Sequence, residues 1–208
     1  MQAKTTREQG EVLVPFEPSR ALAPIATHIR STMITSSVAS LRARGLFEEY
    51  RSHLPPELRD EIPATVAGSW LPMETGIQHY SACNALRLSV PELLSIGESV
   101  GDRSTKSALS LVTKLAAGSG VTPWTVFTNS RRLWERAFQG SSISVVKLGP
   151  KEARFEIIAW PLAGIEYNRV SFRGILRSML QPFCIQAYVH ELTPLCTPMS
   201  ASYRAAWA

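Results

Sequence analysis

His190 and Cys196 come closest, by residue type, to side chains that could do covalent chemistry. If the chain turns near Thr193, an imidazole and a thiol stand opposite each other across a hairpin. Such a pair could act as base and nucleophile, or supply half of a metal site. Gln186, Tyr188, Ser202 and Arg204 share that face by strand parity. No third ligand and no orienting acid follows at a spacing that would complete either site. The competing reading is a half-exposed strand with its polar residues turned to water.

Two other groups invite a chemical reading. His79 lies on a predicted helix, where an imidazole would sit satisfied within the structure or at its surface. Glu98, Asp102 and Arg103 bracket Gly101 and could hold a ligand head group, or form a solvated corner of local ion pairs. The sequence contains no Gly-x-Ser-x-Gly, no phosphate-loop glycine pattern, no His-Glu-x-x-His and no Cys-x-x-Cys. The usual signatures of hydrolases, nucleotide binders and zinc sites are therefore missing.

The segment NSRRLWERAFQG (129–140) carries three arginines beside two large aromatics. At about 100° per residue, Val126, Phe127, Leu133, Trp134, Ala137 and Phe138 fall on one arc, and Arg132 and Arg136 on the other. Base stacking needs aromatics exposed beside cations. This geometry turns them inward, so no nucleic-acid partner is expected. The net charge of +5 is spread through the chain and interleaved with acids. Cys83, Cys184 and Cys196 are odd in number and widely spaced, which reads as reduced thiols. No apolar run suits a signal peptide or a membrane span, and a cytoplasmic protein is expected.

The elements that must position these residues change character along the chain. Residues 1–24 read as a loose arm in which VLVPF could add an edge strand; residues 25–208 read as one domain. IRSTMI (29–34) reads as a short strand or as the lead-in to a helix. Helical spacing follows through Leu41 and Tyr50, with a break at Gly45, and Pro56–Ile62 reads as a short helix stopped by Pro63. Further helices are predicted over 73–86, 90–117 and 123–139. Ser89 and Glu92 form a capping box; Gly97 and Gly101 bend or divide the second of these helices, and Gly118-Ser119-Gly120 ends it. After Gly140 the period becomes that of strands. A hairpin (142–149, 153–160), an amphipathic helix (169–181) and a second hairpin (183–192, 197–207) complete the chain. The fold class is α+β: six to seven helices packed on a four-stranded antiparallel sheet formed by two hairpins joined by a helix.

Trp70-Leu71-Pro72, then SVPELLSIGESVGDR (89–103), then TPWTVFTNSRRLWERAFQG (122–140) and the hairpin resemble a paralogous family of unknown function abundant in myxobacteria. Its chains end on a cysteine-containing hairpin closing near a tryptophan, places that Cys196 and Trp207 would fill. The resemblance spans roughly residues 34–207 and rests on packing and turn residues. That family is similar in layout to a wider ligand-binding fold that includes heme–nitric-oxide sensors, 4-vinyl reductase domains and small TRAPP subunits. The resemblance implies a non-enzymatic sensory, signalling or adaptor domain without a cofactor. It would bind a small apolar ligand or a protein partner, with a homodimer admitted. Trp70, Phe127, Trp134, Phe138 and Phe172 are the candidate cleft residues. The alternative is a heme or other tetrapyrrole sensor with His79 as ligand. The heme branch also uses Tyr-x-Ser-x-Arg, which Tyr50-Arg51-Ser52 begins, but Leu54 stands where arginine is needed. An enzyme using His190 and Cys196, with Tyr188 and Arg204 beside them, is the second alternative.

Overall fold

The computed structural model of the chain describes residues 10–115 and 122–208, and the side chains among them outside 104–115. Its first elements are β1 (Glu11–Val14), β2 (His28–Arg30), α1 (Ser31–Ala43), α2 (Phe47–Ser52), α3 (Leu58–Ala64) and β3 (Trp70–Pro72). Next come α4 (Met73–Ala85), α5 (Val90–Leu115), α6 (Pro123–Thr128), α7 (Ser130–Ala137) and β4 (Phe138–Gln139). The chain closes with β5 (Ser142–Gly149), β6 (Glu152–Ile158), α8 (Glu166–Leu180), β7 (Ala187–Glu191) and β8 (Ser200–Trp207). The α+β order is as expected: a helical block followed by strands. The glycine stop at 118–120 lies outside the described residues.

Helix α8 is buried on two sides, and each side has its own residue type. Phe172 points at the sheet, with ring centroids 6.2 Å from Phe155 and 5.4 Å from Tyr203. Ser171, Gly174 and Ser178 recur at helical spacing on the other side and meet α5. A Cβ added to Gly97 would lie 1.9 Å from the Ser171 carbonyl oxygen, and one on Gly174 2.2 Å from that of Leu94. At Gly101 the Ser178 hydroxyl would be 1.9 Å away. The two helices therefore meet backbone to backbone, a closeness only glycine allows. Gly97 and Gly101 do not divide α5, which runs unbroken past both. They serve packing.

The main sheet has the order β1-β5-β6-β8-β7 and is antiparallel throughout. Pairing of β6 with β8 joins the two hairpins into the expected four strands, and α8 carries the chain across. The fifth strand, β1, comes from the segment expected as a loose arm. Its Glu11 faces Lys147 and its Val12 faces Val146. Arg131 then holds the segment that follows, donating to the Pro15 carbonyl at 2.6 Å and pairing with Glu17.

A second sheet, β3-β2-β4, was not expected. It shortens the helix predicted over 123–139. Asn129 interrupts that helix with φ −97° and ψ 3°, and Phe138 leaves it in extended conformation to pair with Ile29. The aromatics of the quoted segment are inward, as read: Trp134 and Phe138 are buried, with rings 4.4 Å apart. The proline expected to stop α3, Pro63, lies inside its last turn. At Ser89 the Glu92 carboxylate accepts from both the backbone N–H and the hydroxyl, so the serine donates where it was expected to accept. Among the described residues no helix is long and apolar enough to cross a membrane.

Replacing Gly97 or Gly174 by alanine drives a methyl group into backbone that cannot retreat. Each is expected to cost about 3 kcal/mol or more, read as a lower urea midpoint. Gly149→Ala meets nothing closer than 3.8 Å and is expected to stay within about 1 kcal/mol of the parent.

Candidate functional site: an apolar cavity between helices and sheet

Helix α7 builds one wall of a cavity because Ser130, Leu133, Trp134 and Ala137 fall on a single helical face. Helix α8 supplies Phe172, Ile175, Leu176 and Met179; α6 supplies Val126 and Phe127; β6 adds Phe155 and β4 adds Phe138. The enclosed volume is about 360 Å³, within the range of small-molecule pockets. The exposed lining residues Ala67, Arg103 and Arg136 mark where it opens to solvent, beside half-buried Thr32, Met33, Thr35 and Ser36 of α1.

The inner wall is almost wholly carbon. Its exception is Ser130, 7% exposed, whose hydroxyl has no hydrogen-bond partner. A native fold rarely leaves such a group dry, so a water or a ligand oxygen is its expected partner. At the mouth, Arg103 donates to the Ser36 carbonyl at 3.1 Å, which fixes its guanidinium across α1 and α5. The rim loop 65–69 is tied down as well. Ser31 donates to the Val66 carbonyl at 2.9 Å and accepts from the Ser69 N–H at 3.0 Å, while Arg30 donates to Gly68 at 2.9 Å.

Four of the expected cleft residues, Phe127, Trp134, Phe138 and Phe172, line this cavity; Trp70 does not. Its ring lies under the Arg30 guanidinium, 4.2 Å from centroid to carbon, where it braces the arginine that holds the rim.

His79 sits elsewhere, fully buried between α2 and α4. Its Nδ1 shares a 2.6 Å hydrogen bond with the Tyr50 hydroxyl, a phenol that burial keeps protonated. The other ring nitrogen, Nε2, faces the Cys83 thiol at 3.7 Å. Desolvation holds the imidazole neutral, with a pKa lowered to about 3. Tyr50, the start of the partial Tyr-x-Ser pattern, thus serves His79, and Leu54 is core.

A heme in the cavity would find arginines for its carboxylates but no histidine, cysteine or tyrosine among the lining residues. Among the described lining residues, Met33 and Met179 are the only side chains able to ligate iron. The residues do not fit a histidine-ligated heme.

The last hairpin does not bring His190 to Cys196. Register pairs His190 with Arg204 and Tyr188 with Ala206. The connection is no tight turn near Thr193: Thr193–Leu195 forms a 3₁₀ turn, and pairing ends at Glu191 and Tyr203. Cys196 lies in that connection, with its thiol on the Leu192 carbonyl at 3.5 Å and its pKa raised by burial. His190 and Tyr188 are exposed on the outer face, and Arg204 pairs with Glu152. At the corner near Gly101, Glu98 pairs with Arg177 of α8, Asp102 is exposed, and Arg103 turns to the cavity mouth. Among the described residues no three His, Cys, Asp or Glu side chains gather as a metal site.

The depressed His79 pKa has a direct consequence for stability. Neutral imidazole favours the folded state, so its contribution is complete above the unfolded value near 6.5 and is lost as pH falls toward about 3. Urea unfolding is expected to weaken by up to about 1.4 kcal/mol per pH unit through that window, and His79→Gln is expected to remove this part of the slope.

No family model and no curated protein matches the chain. Solved structures do. The Fe(II) unliganded H-NOX protein from K. algicida superimposes with a TM-score of 0.60 at 9% identity, over 86% of this chain and 97% of that one. A mutant H-NOX from T. Tengcongensis gives 0.55 at 9% identity, over 86% and 97%. A structure concerned with heme redox potential and protein-induced porphyrin distortion gives 0.57 at 8% identity, over 86% and 100%. At such identities the likeness is one of fold. By its helical block, its antiparallel sheet and the extent of these superpositions, the chain has the H-NOX fold.

Proposed function

We propose that the chain is a non-enzymatic sensory or adaptor domain that takes a small apolar ligand into the cavity beneath α7. The observation that carries this reading is the cavity itself, with a carbon-lined interior and charged groups only where it meets water. Binding pockets share that distribution: an apolar body for affinity, a few polar groups for orientation. The separation of His190 from Cys196 supports a non-enzymatic reading. The membership in a myxobacterial paralogous family suggested by Trp70-Leu71-Pro72 and Trp134 belongs to the same proposal, since these residues brace the rim and line the wall.

A heme or other tetrapyrrole sensor is the second reading. The likeness to H-NOX proteins favours it at the level of fold. On this chain its iron ligand would be a thioether of Met33 or Met179, not His79.

Native mass spectrometry and an absorption spectrum of freshly purified protein test both. The expected result is a co-purified apolar molecule and no Soret band. A Soret band that survives His79→Ala and shifts in Met33→Ala or Met179→Ala would establish the heme reading. If an empty cavity neither retains nor takes up any apolar molecule, the first reading fails.

A further inference from the structure

We propose that the cavity selects an amphiphile with an anionic head, of the long-chain carboxylate class, seated tail inward with its head group on Arg103 and Arg136. The inference rests on the cavity-binding reading and adds the chemistry of the ligand.

Charge is distributed one way along this site. Arg103 and Arg136 both line the mouth, and among the described residues no Asp or Glu does. The arginines belong to different helices, α5 and α7, and both line the cavity. Arg103 spends one N–H on the Ser36 carbonyl, leaving its remaining donors for a partner. Planar guanidinium groups match a carboxylate in geometry and charge. A cationic or neutral head would gain nothing there.

Depth and lining fix the rest of the molecule. From Arg136 to Ser130 the α7 wall runs six residues, about 9 Å at 1.5 Å per residue. Over that length it presents Leu133, Trp134 and Ala137, with Phe172 and Leu176 facing them from α8. Trp134 commits its indole N–H to the Ser141 hydroxyl, so among the described buried lining residues Ser130 alone offers an unpaired side-chain hydrogen-bonding group. A nucleotide or sugar buried here would leave most of its polar groups unpaired, whereas an alkyl chain buries carbon against carbon. Val66, 76% exposed, adjoins the lining residue Ala67 on the rim loop.

Titration calorimetry with dodecanoate, dodecanol and dodecyltrimethylammonium, each below its aggregation limit, tests the assignment. Dodecanoate is expected to bind roughly tenfold or more tightly than dodecanol, the worth of a charge-assisted hydrogen bond, and the cation more weakly than either. The exposed pair Arg103→Gln/Arg136→Gln is expected to reduce dodecanoate to the affinity of dodecanol. Circular dichroism on the variant checks that it folds. Equal affinity for acid and alcohol, or a preference that survives the double substitution, would overturn the head-group assignment and leave the apolar cavity standing. Hemin binding with no uptake of dodecanoate would overturn the ligand class. Failure of every probe would remove the cavity reading on which this one rests.

Discussion

Everything in this molecule is spaced by the contact of α5 with α8, made without intervening side chains. Where Gly97 meets Ser171 and Gly174 meets Leu94, the separation of the helices is set by backbone atoms. Backbone cannot be repacked as side chains can. With α8 held so tightly against α5, its other face is committed to the sheet, and Phe172 lands among Phe155, Trp160 and Tyr203. The cavity opens where that close contact ends, toward α7 and α1.

The polar interior follows the same economy. Tyr50, His79 and Cys83 satisfy one another between α2 and α4, away from the cavity. A histidine committed in this way is a structural group: it is hydrogen-bonded to a buried phenol, and desolvation keeps it uncharged. The chain thus shares the H-NOX fold, and its own cavity is lined mainly by carbon with arginines at the mouth. Fold likeness and site chemistry are separate kinds of information.

The sequence is legible where one physical pattern dominates. Alternation and β-branching locate β5, β6 and β7, and the inward arc of Trp134 and Phe138 follows from helical spacing alone. Small residues were harder to read. Ser171, Gly174 and Ser178 carry no hydrophobic signal, yet they form a packed face, because what matters there is the absence of bulk. The short sheet β3-β2-β4 is invisible to periodicity, since its strands hold two or three residues each and their pairing is set by distant partners. His190 and Cys196 illustrate a third limit. Their predicted meeting depended on the exact centre of a turn, and a connection bearing Pro194 and Pro198 moved the register so that Arg204 took the place beside His190. Of the site, the cavity's aromatic wall is readable, and Arg103 stands out beside Gly101 as a candidate head-group contact; Arg136 reads only as solvent-facing, because it reaches the mouth only once α5 and α7 are brought together.

The small sheet ties both sides of the opening into one mechanical unit. Strand β2 runs directly into α1, β4 is the direct continuation of α7, and Ile29 and Phe138 bond the two. Strand β3, on the other side of β2, leads straight into α4. Any guest that wedges α1 and α7 apart must therefore strain a ladder of only a few hydrogen bonds. The stress would pass through β3 to the start of α4, a route from occupancy to the far side of the helical layer.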